Sequence, residues 1–158
     1  MVTILLATLN GEDYLKAQLE SIAAQTYENW QLVVGDDGST DGTISILEEF
    51  SKQYPEQVTI IKNDPPQGSA KDNFISLIQN SYGPYFMFCD QDDVWKKNKM
   101  REIERVFEDP KVMAVVHDAQ IVDEKLSSLN ETTFEWRDSK AGFWKNMKKN
   151  SYIGCCMA

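Results

Sequence analysis

The sequence predicts an α/β domain: an open, doubly wound, mostly parallel sheet with helices on both faces. Two observations carry that reading. Short, continuous apolar runs suited to buried strands alternate with stretches of helical period, the pattern of a parallel sheet covered on both sides. A length of 158 residues leaves room for only about five βα units, too few for a closed eight-stranded barrel. Ligands of such sheets bind at the carboxyl ends of the strands, near the point where strand order reverses. The polar segments Thr8-Leu9-Asn10, Asp36-Asp37-Gly38-Ser39 and Asp90-Gln91-Asp92-Asp93 all follow predicted strands, so three candidate sites converge on one edge.

Val2–Ala7 is the first β-type run, and from Asp13 the period changes, with Tyr14, Leu15, Leu19 and Ile22 on one helical face. Asn10 and Asp13 resemble a capping arrangement, the acid suiting the positive end of the helix. Trp30–Gly35 is a second buried strand, and the polar turn Asp36–Gly42 leads into the helix-spaced Ile44, Leu47 and Phe50. Val58–Ile61 is a third strand and Pro65–Gly68 a loop. Phe74, Leu77 and Ile78 mark a third helix, ended by Tyr82-Gly83-Pro84. Tyr85–Cys89 is a fourth strand running into the acidic cluster. Met100, Ile103 and Phe107 stripe a fourth helix stopped by Asp109-Pro110, and Val112–Val116 is expected as a fifth strand. Beyond it the pattern loosens. The apolar end Tyr152–Ala158 lacks a polar tail, so the sequence reads as a fragment cut in or just after a structural element.

Sixteen Lys and Arg against 25 Asp and Glu give a net charge of -9, the wrong sign for unaided nucleic-acid binding. No apolar run approaches the ~20 residues of a membrane span, and the start lacks the basic region of a signal peptide. Cys89, Cys155 and Cys156 form neither a disulfide framework nor a zinc spacing. These features describe an intracellular, cytoplasmic domain with buried thiols.

Asp90-Gln91-Asp92-Asp93 directly follows an intensely apolar strand. Alternate residues of extended chain point the same way, so Asp90 and Asp92 can approach one ion, and Mg²⁺ or Mn²⁺ suits hard oxygen ligands. A solvated acidic turn is the bland alternative; the position after a parallel-sheet strand favours metal. In Asp36–Gly42 the weights reverse. A carboxylate there can accept a ligand N–H, but Asx and Gly turn chemistry, with Thr40 or Asp41 capping the next helix, explains the composition by itself. Neither the phosphate-binding P-loop nor the dinucleotide glycine fingerprint is present.

Taken together, Thr8-Leu9-Asn10-Gly11, Gln25-Thr26-Tyr27, Val33–Thr43 and Asp90-Gln91-Asp92-Asp93-Val94-Trp95 resemble the family 2 glycosyltransferases of GT-A fold, most closely bacterial rhamnosyltransferase-type members. The resemblance runs from Val2 to about Arg101 with every motif in order, and more weakly to Ala158. It implies a cytoplasmic enzyme, peripheral at most to the membrane. It implies inverting transfer of a sugar from a nucleotide-diphosphate donor, UDP- or dTDP-linked, to a hydroxyl of a glycan or lipid-linked acceptor in cell-surface polysaccharide synthesis. By position, Asp37 would bind the base, Ala7, Leu9 and Asn10 would line the nucleoside pocket with Glu12 close by, and Asp90 would lie nearest the ribose. Asp92, with Asp90, would hold Mg²⁺ or Mn²⁺, and Asp93 would line the donor sugar or assist the ion. Residues 1–118 would be the nucleotide-sugar-binding half of a single domain and 119–158 the start of an acceptor-side region.

Two departures from the family pattern stand out. Relatives often carry Arg-Asn at the start of the third helix, where this sequence has Lys71-Asp72-Asn73-Phe74, so the basic contact to the donor comes from Lys71 or is missing. Inversion also requires a general base, and in the family it lies beyond Ala158; Asp118, Asp123 and Asp138 are available, but nothing in the sequence singles one out. Two rivals fit less well. A nucleotidyltransferase wants a Gly- and Lys- or Arg-rich loop after the first strand, where Asn10–Asp13 is acidic. A phosphoacceptor receiver wants its acids after the first and third strands. A third reading, a nucleotide-binding module without catalysis, differs only in what the chain lacks. His117 reads as a hydrogen-bonded strand-end residue, and Asn130-Glu131-Thr132 as a sequon without consequence. Trp136, Phe143 and Trp144 suit either an acceptor sugar or membrane surface or, at least as well, core packing, and Lys145, Lys148 and Lys149 form a patch that can meet anionic lipid.

Overall fold

The computed structural model describes residues 1–137, 139 and 154–158. Four parallel strands form the sheet: β1 (Val2–Thr8), β2 (Trp30–Asp36), β3 (Val58–Lys62) and β4 (Phe86–Asp90), in the order β3-β2-β1-β4. Helices α1 (Glu12–Ala23), α2 (Thr43–Gln53) and α3 (Ala70–Gln79) cross between them, and α4 (Lys99–Val106) follows β4. The chain steps outward from β1 to β2 to β3, then returns to the other side of β1. The switch point therefore lies between β1 and β4.

Side-chain alternation along the strands sorts the helices onto two faces. Ile4 and Leu6 of β1, Leu32 and Val34 of β2, and Met87 and Cys89 of β4 pack with Leu15, Leu19 and Ile22 of α1 and with Leu47, Met100 and Ile103. Leu5 and Val33 point the other way and meet Leu77, with Phe74, Phe86 and Phe88 alongside. Both faces are covered, as the apolar runs require.

The expected fifth strand is not part of the parallel sheet. Within 112–116 only Val116 is paired, in an antiparallel bridge to Met157. Val115 and Ala158 exchange two backbone bonds around it, and His117 N–H donates to Cys156 O. Phe88 N–H donates to Met157 O, so the chain at 156–158, not Val112–Val116, pairs with β4. An antiparallel hairpin follows, β5 (Gln120–Val122) and β6 (Ser128–Thr132), then one turn of helix, α5 (Thr133–Trp136), started by a Thr132/Glu135 capping box. Among the described residues no helix is long and apolar enough to cross a membrane.

Candidate functional site

Strand register assembles the site. Ala7 of β1 lies opposite Asp90 of β4, and Thr8 opposite Asp36 of β2, so the three polar segments emerge side by side at the carboxyl edge. A cavity of about 530 Å³ opens there, lined by Ala7, Leu9, Asp37, Asn73, Asp90 and Asp92, among others.

The neighbouring acids Asp36 and Asp37 have different tasks. Asp36 folds back on its own turn, accepting from Thr8 Oγ1 at 3.1 Å, Ser39 Oγ at 2.5 Å, Ser39 N at 3.0 Å and Gly38 N at 3.2 Å. Gly38 bends that turn at φ 91°, the left-handed region that glycine enters without strain. Asp37 instead faces the cavity although only 7% exposed. Its Oδ1 accepts from Gln67 N at 2.5 Å and Asn63 Nδ2 at 3.2 Å, and its Oδ2 from Gly68 N at 2.9 Å. The loop after β3 is thus hung from Asp37, and Oδ2 keeps acceptor capacity toward the cavity. Asn73 extends the network: its Oδ1 accepts from Asn63 at 3.1 Å while its Nδ2 donates to Gly35 O at 2.8 Å. Gly35 must lack a side chain here, because a Cβ would run into the Asn73 amide.

The β1 and β4 lips are latched by Gln91, which accepts from Leu9 N at 2.9 Å and donates to Leu9 O at 3.1 Å, imitating a strand neighbour. Asn10, Glu12 and Lys71 do not line the cavity. Asn10 has φ 49° and does not cap α1; the cap position is Gly11. Asn10 binds the β2 turn, accepting from Thr40 N at 2.9 Å and donating its own N–H to Ser39 Oγ at 2.9 Å. Glu12 accepts from Gly42 N at 2.8 Å, while Asp41 accepts from Glu12 N at 3.1 Å and Thr43 N at 3.0 Å. The amino ends of α1 and α2 therefore hold each other through two carboxylates, a favourable place for negative charge. Lys71 is 79% exposed and pairs with Asp72.

A second cavity of about 500 Å³ lies on the far side of the acidic cluster, beneath the β5–β6 hairpin, with Asp92, Asp93, Lys99, His117, Asp118 and Cys155 among its walls. Asp92 lines both cavities; Asp93 lines only the second. Ligand atoms of Asp90, Asp93 and Cys155 lie within 4.8 Å of one another. Burial first, then the neighbouring aspartates, pushes the Asp90 carboxyl above its ordinary range, and burial does the same for Asp93. Lys99 offsets some of that charge. It lies 3.9 Å over the Trp95 ring and 3.1 Å from Cys155 O, and burial lowers its pKa. Asp118 and Asp123 are turn formers: Asp118 accepts from Ala119 N, Phe134 N and Thr133 Oγ1, and Asp123 from Lys125 N and Ser127 N. His117 Nδ1 lies 3.0 Å from Asp118 O. All three cysteines are free and buried. Asp138, Phe143, Trp144, Lys145, Lys148 and Lys149 lie outside the described residues; Trp136 is solvent-exposed rather than core.

The model of the glycosyl transferase family 2 matches residues 3–158. The chain belongs to this family. It is 39% identical over 100 residues to the dTDP-rhamnosyl transferase RfbG of Shigella flexneri, covering 61% of this chain and 34% of that protein. It is 33% identical over 147 residues to an uncharacterized glycosyltransferase of Haemophilus influenzae, covering 92% and 44%. Among solved structures, TarS of S. aureus superposes with a TM-score of 0.67 at 21% identity, over 73% of this chain and 34% of that one. The mannosyltransferase PcManGT of Pyrobaculum calidifontis, in complex with GDP-Man and Mn²⁺, superposes at 0.66 and 23%, over 78% and 36%. The fold is GT-A. The chain spans about a third to less than half of the length of these relatives.

The family 2 chain offers a donor set suited to a divalent ion. Two carboxylates, Asp90 and Asp93, are held together with the Cys155 thiol beside them, whereas Asp92, expected to pair with Asp90, lies outside that group, exposed between the two cavities. Hard oxygen ligands with open positions left for phosphate suit Mg²⁺ or Mn²⁺. The sequence motifs named the acids and contained Gln91 and Asn73 without assigning either a role, and they missed Asn63, whose only signal, an Asn just past a strand end, is a weak one.

Proposed function

We propose that this chain is the donor-binding part, residues 1–118, of an inverting glycosyltransferase that takes a UDP- or dTDP-linked sugar, with 119–158 beginning its acceptor side. The carrying observation is the placement of Asp37, Ala7, Leu9, Asp90 and Asp92 around one cavity at the topological switch point. The free acceptor capacity of Asp37 Oδ2 suits the imide N–H of uracil or thymine, with Ala7 and Leu9 against the nucleoside. Asp90, beside Ala7, faces the ribose. Asp92, with Asp90 and Asp93, would hold Mg²⁺ or Mn²⁺, which stabilises negative charge developing on a leaving diphosphate. Asp93 faces the second cavity, where a donor sugar would meet a glycan or lipid-linked acceptor. Asn10 and Glu12 serve the pocket from outside by fixing its walls, and the exposed Lys71, leaving its pair with Asp72, can swing toward a bound diphosphate. The teichuronic and teichoic acid enzymes among the relatives support a role in bacterial cell-surface polysaccharide synthesis on the cytoplasmic side of the membrane.

Calorimetric titration of the chain with UDP, dTDP and GDP, in Mn²⁺ and then in EDTA, tests this. Binding should require the cation, prefer a pyrimidine diphosphate and be lost in Asp92→Ala. A folded chain that binds none of the three nucleotides refutes the proposal.

A further inference from the structure

The face of α1 turned toward the chain after β4 is polar where the rest of its buried surface is apolar. Gln18, Ser21 and Gln25 are 0%, 8% and 6% exposed; the first two lie in α1 and Gln25 just beyond its end, at a spacing that continues one stripe along the axis. Leu15, Leu19 and Ile22 face the apolar core. Burying a hydroxyl and two amides is unfavourable unless each finds partners. Every partner outside the α1 region belongs to one stretch, Cys89–Met100, which begins just before the acidic cluster.

Gln18 lies against Cys89 Sγ, the residue before Asp90. With its amide turned to suit both neighbours, it donates to Asp93 O and accepts from Trp95 Nε1 at 3.3 Å. It thus holds the acidic turn on its C-terminal side. Trp95 N–H donates to Ser21 Oγ at 2.9 Å, and that hydroxyl donates to Gln18 O at 2.7 Å. Gln25 donates to Lys96 O at 2.9 Å and accepts from Met100 N at 3.0 Å, while Thr26 N–H donates to Lys97 O at 2.9 Å. Residues 93–98 contain neither helix nor strand, so these side chains supply the partners that a regular element would otherwise provide.

We propose that Gln18, Ser21 and Gln25 are positioning residues for the cation: they fix the backbone on the C-terminal side of the acids so that Asp90 and Asp93 stay together, with Asp92 next to them, without an ion between them. Three neighbouring carboxylates repel one another, and a free loop would splay to separate them. A loop held at Asp93, Trp95, Lys96, Lys97 and Met100 cannot. The inference rests on the donor-site reading above. Groups that orient metal ligands from behind commonly change affinity by about 10- to 100-fold when removed.

The experiment measures Mn²⁺ affinity by electron paramagnetic resonance of the free ion, in the presence of UDP, for the full chain and for Ser21→Ala, Ser21→Thr and Gln25→Leu. Folding of each variant is checked by cooperative unfolding. Ser21→Ala and Gln25→Leu should bind Mn²⁺ about 10- to 100-fold more weakly, and Ser21→Thr, which keeps the hydroxyl, should restore most of the loss. A purely structural role would lower the unfolding midpoint and leave Mn²⁺ affinity unchanged; that result overturns the inference alone. Failure of the parent to bind Mn²⁺ overturns the donor-site reading, and this inference with it. Hydrogen exchange of the parent needs no variant: Trp95 and Met100 amides exchanging as fast as open loop amides would also overturn it.

Discussion

Replacing Asp37 separates two tasks that the structure places on one carboxylate. Three donors converge on it: Gln67 N, Gly68 N and Asn63 Nδ2. Net contributions of about 1.5–3 kcal/mol for a hydrogen bond to a charged group set the scale. Asn63 keeps its bond to Asn73 Oδ1 in Asp37→Ala, and Gln67 and Gly68 are exposed, so their N–H groups regain water once the loop detaches. The loss is therefore well below three full bonds, about 2–3 kcal/mol. Urea unfolding in EDTA measures it as a midpoint shift at constant slope. The second task is binding: losing a charge-assisted bond from a base N–H costs about 1.5–3 kcal/mol, or roughly 10- to 150-fold in UDP affinity. Stability within about 0.5 kcal/mol of the parent would refute the anchoring of the loop. A destabilised variant that binds UDP as tightly as the parent would refute base recognition and leave the anchoring intact.

Gly35→Ala should destabilise by about 1–3 kcal/mol in thermal or urea unfolding, because the added Cβ meets the Asn73 amide and Leu77 Cγ at 3.1 Å. Gln91→Leu should weaken UDP binding, measured calorimetrically, more than it lowers the unfolding midpoint, since it unlatches Leu9 from β4. The pH dependence follows from Asp93, whose carboxyl is raised by burial in the metal-free fold. Between the ordinary carboxylate value and that raised value the folded chain binds more protons than the unfolded one, so its stability falls as pH rises through the window. In EDTA, Asp93→Asn should therefore gain in unfolding midpoint over the parent as pH rises to neutrality, and the gap should close at acid pH. Equal midpoints at all pH values would contradict this.

The sheet is legible in the sequence because its inner strands are apolar on both sides: Val2–Thr8 and Trp30–Asp36 tolerate no water-facing residue, and a continuous run betrays them. The acids at their ends were legible for the same reason, since an abrupt change from Cys89 to Asp90 marks the sheet edge. Val112–Val116 carried the same apolar signature but not the same partner; which chain lies next to β4 is decided by backbone pairing with Met157 and Ala158, far along the sequence. The β5–β6 hairpin left no signal because its strands are largely exposed and its turn relies on Asp123 accepting two backbone N–H groups. Asp37 was marked by its motif, yet its partners Gln67 and Gly68 use backbone N–H groups that any residue supplies. Gln18, Ser21 and Gln25 sit on a helical period that a search for apolar stripes passes over.

The strand-end loops bind one another more than they bind the sheet. Asn10 joins the β1 loop to the β2 turn, Gln91 joins β4 to the β1 loop, Asp37 suspends the β3 loop, and α1 holds the stretch after β4. Each link adds a side-chain bond where only single backbone bonds, such as Asp37 N–H to Thr8 O and Asn63 N–H to Asp36 O, continue past the strand ends, so the cavity wall is ordered as part of folding rather than on ligand arrival. Association then spends less of its free energy on ordering loops, the general advantage of preorganisation. The same arrangement concentrates Asp90, Asp92 and Asp93 where, among the described residues, Lys99 offsets part of the charge on Asp93 without forming a direct ion pair. A fold that fixes acids against their own repulsion gives up stability in the metal-free state. A divalent cation bound by the native chain recovers it by mass action, so addition of Mn²⁺ should raise the unfolding midpoint of the parent and leave that of Asp92→Ala unmoved.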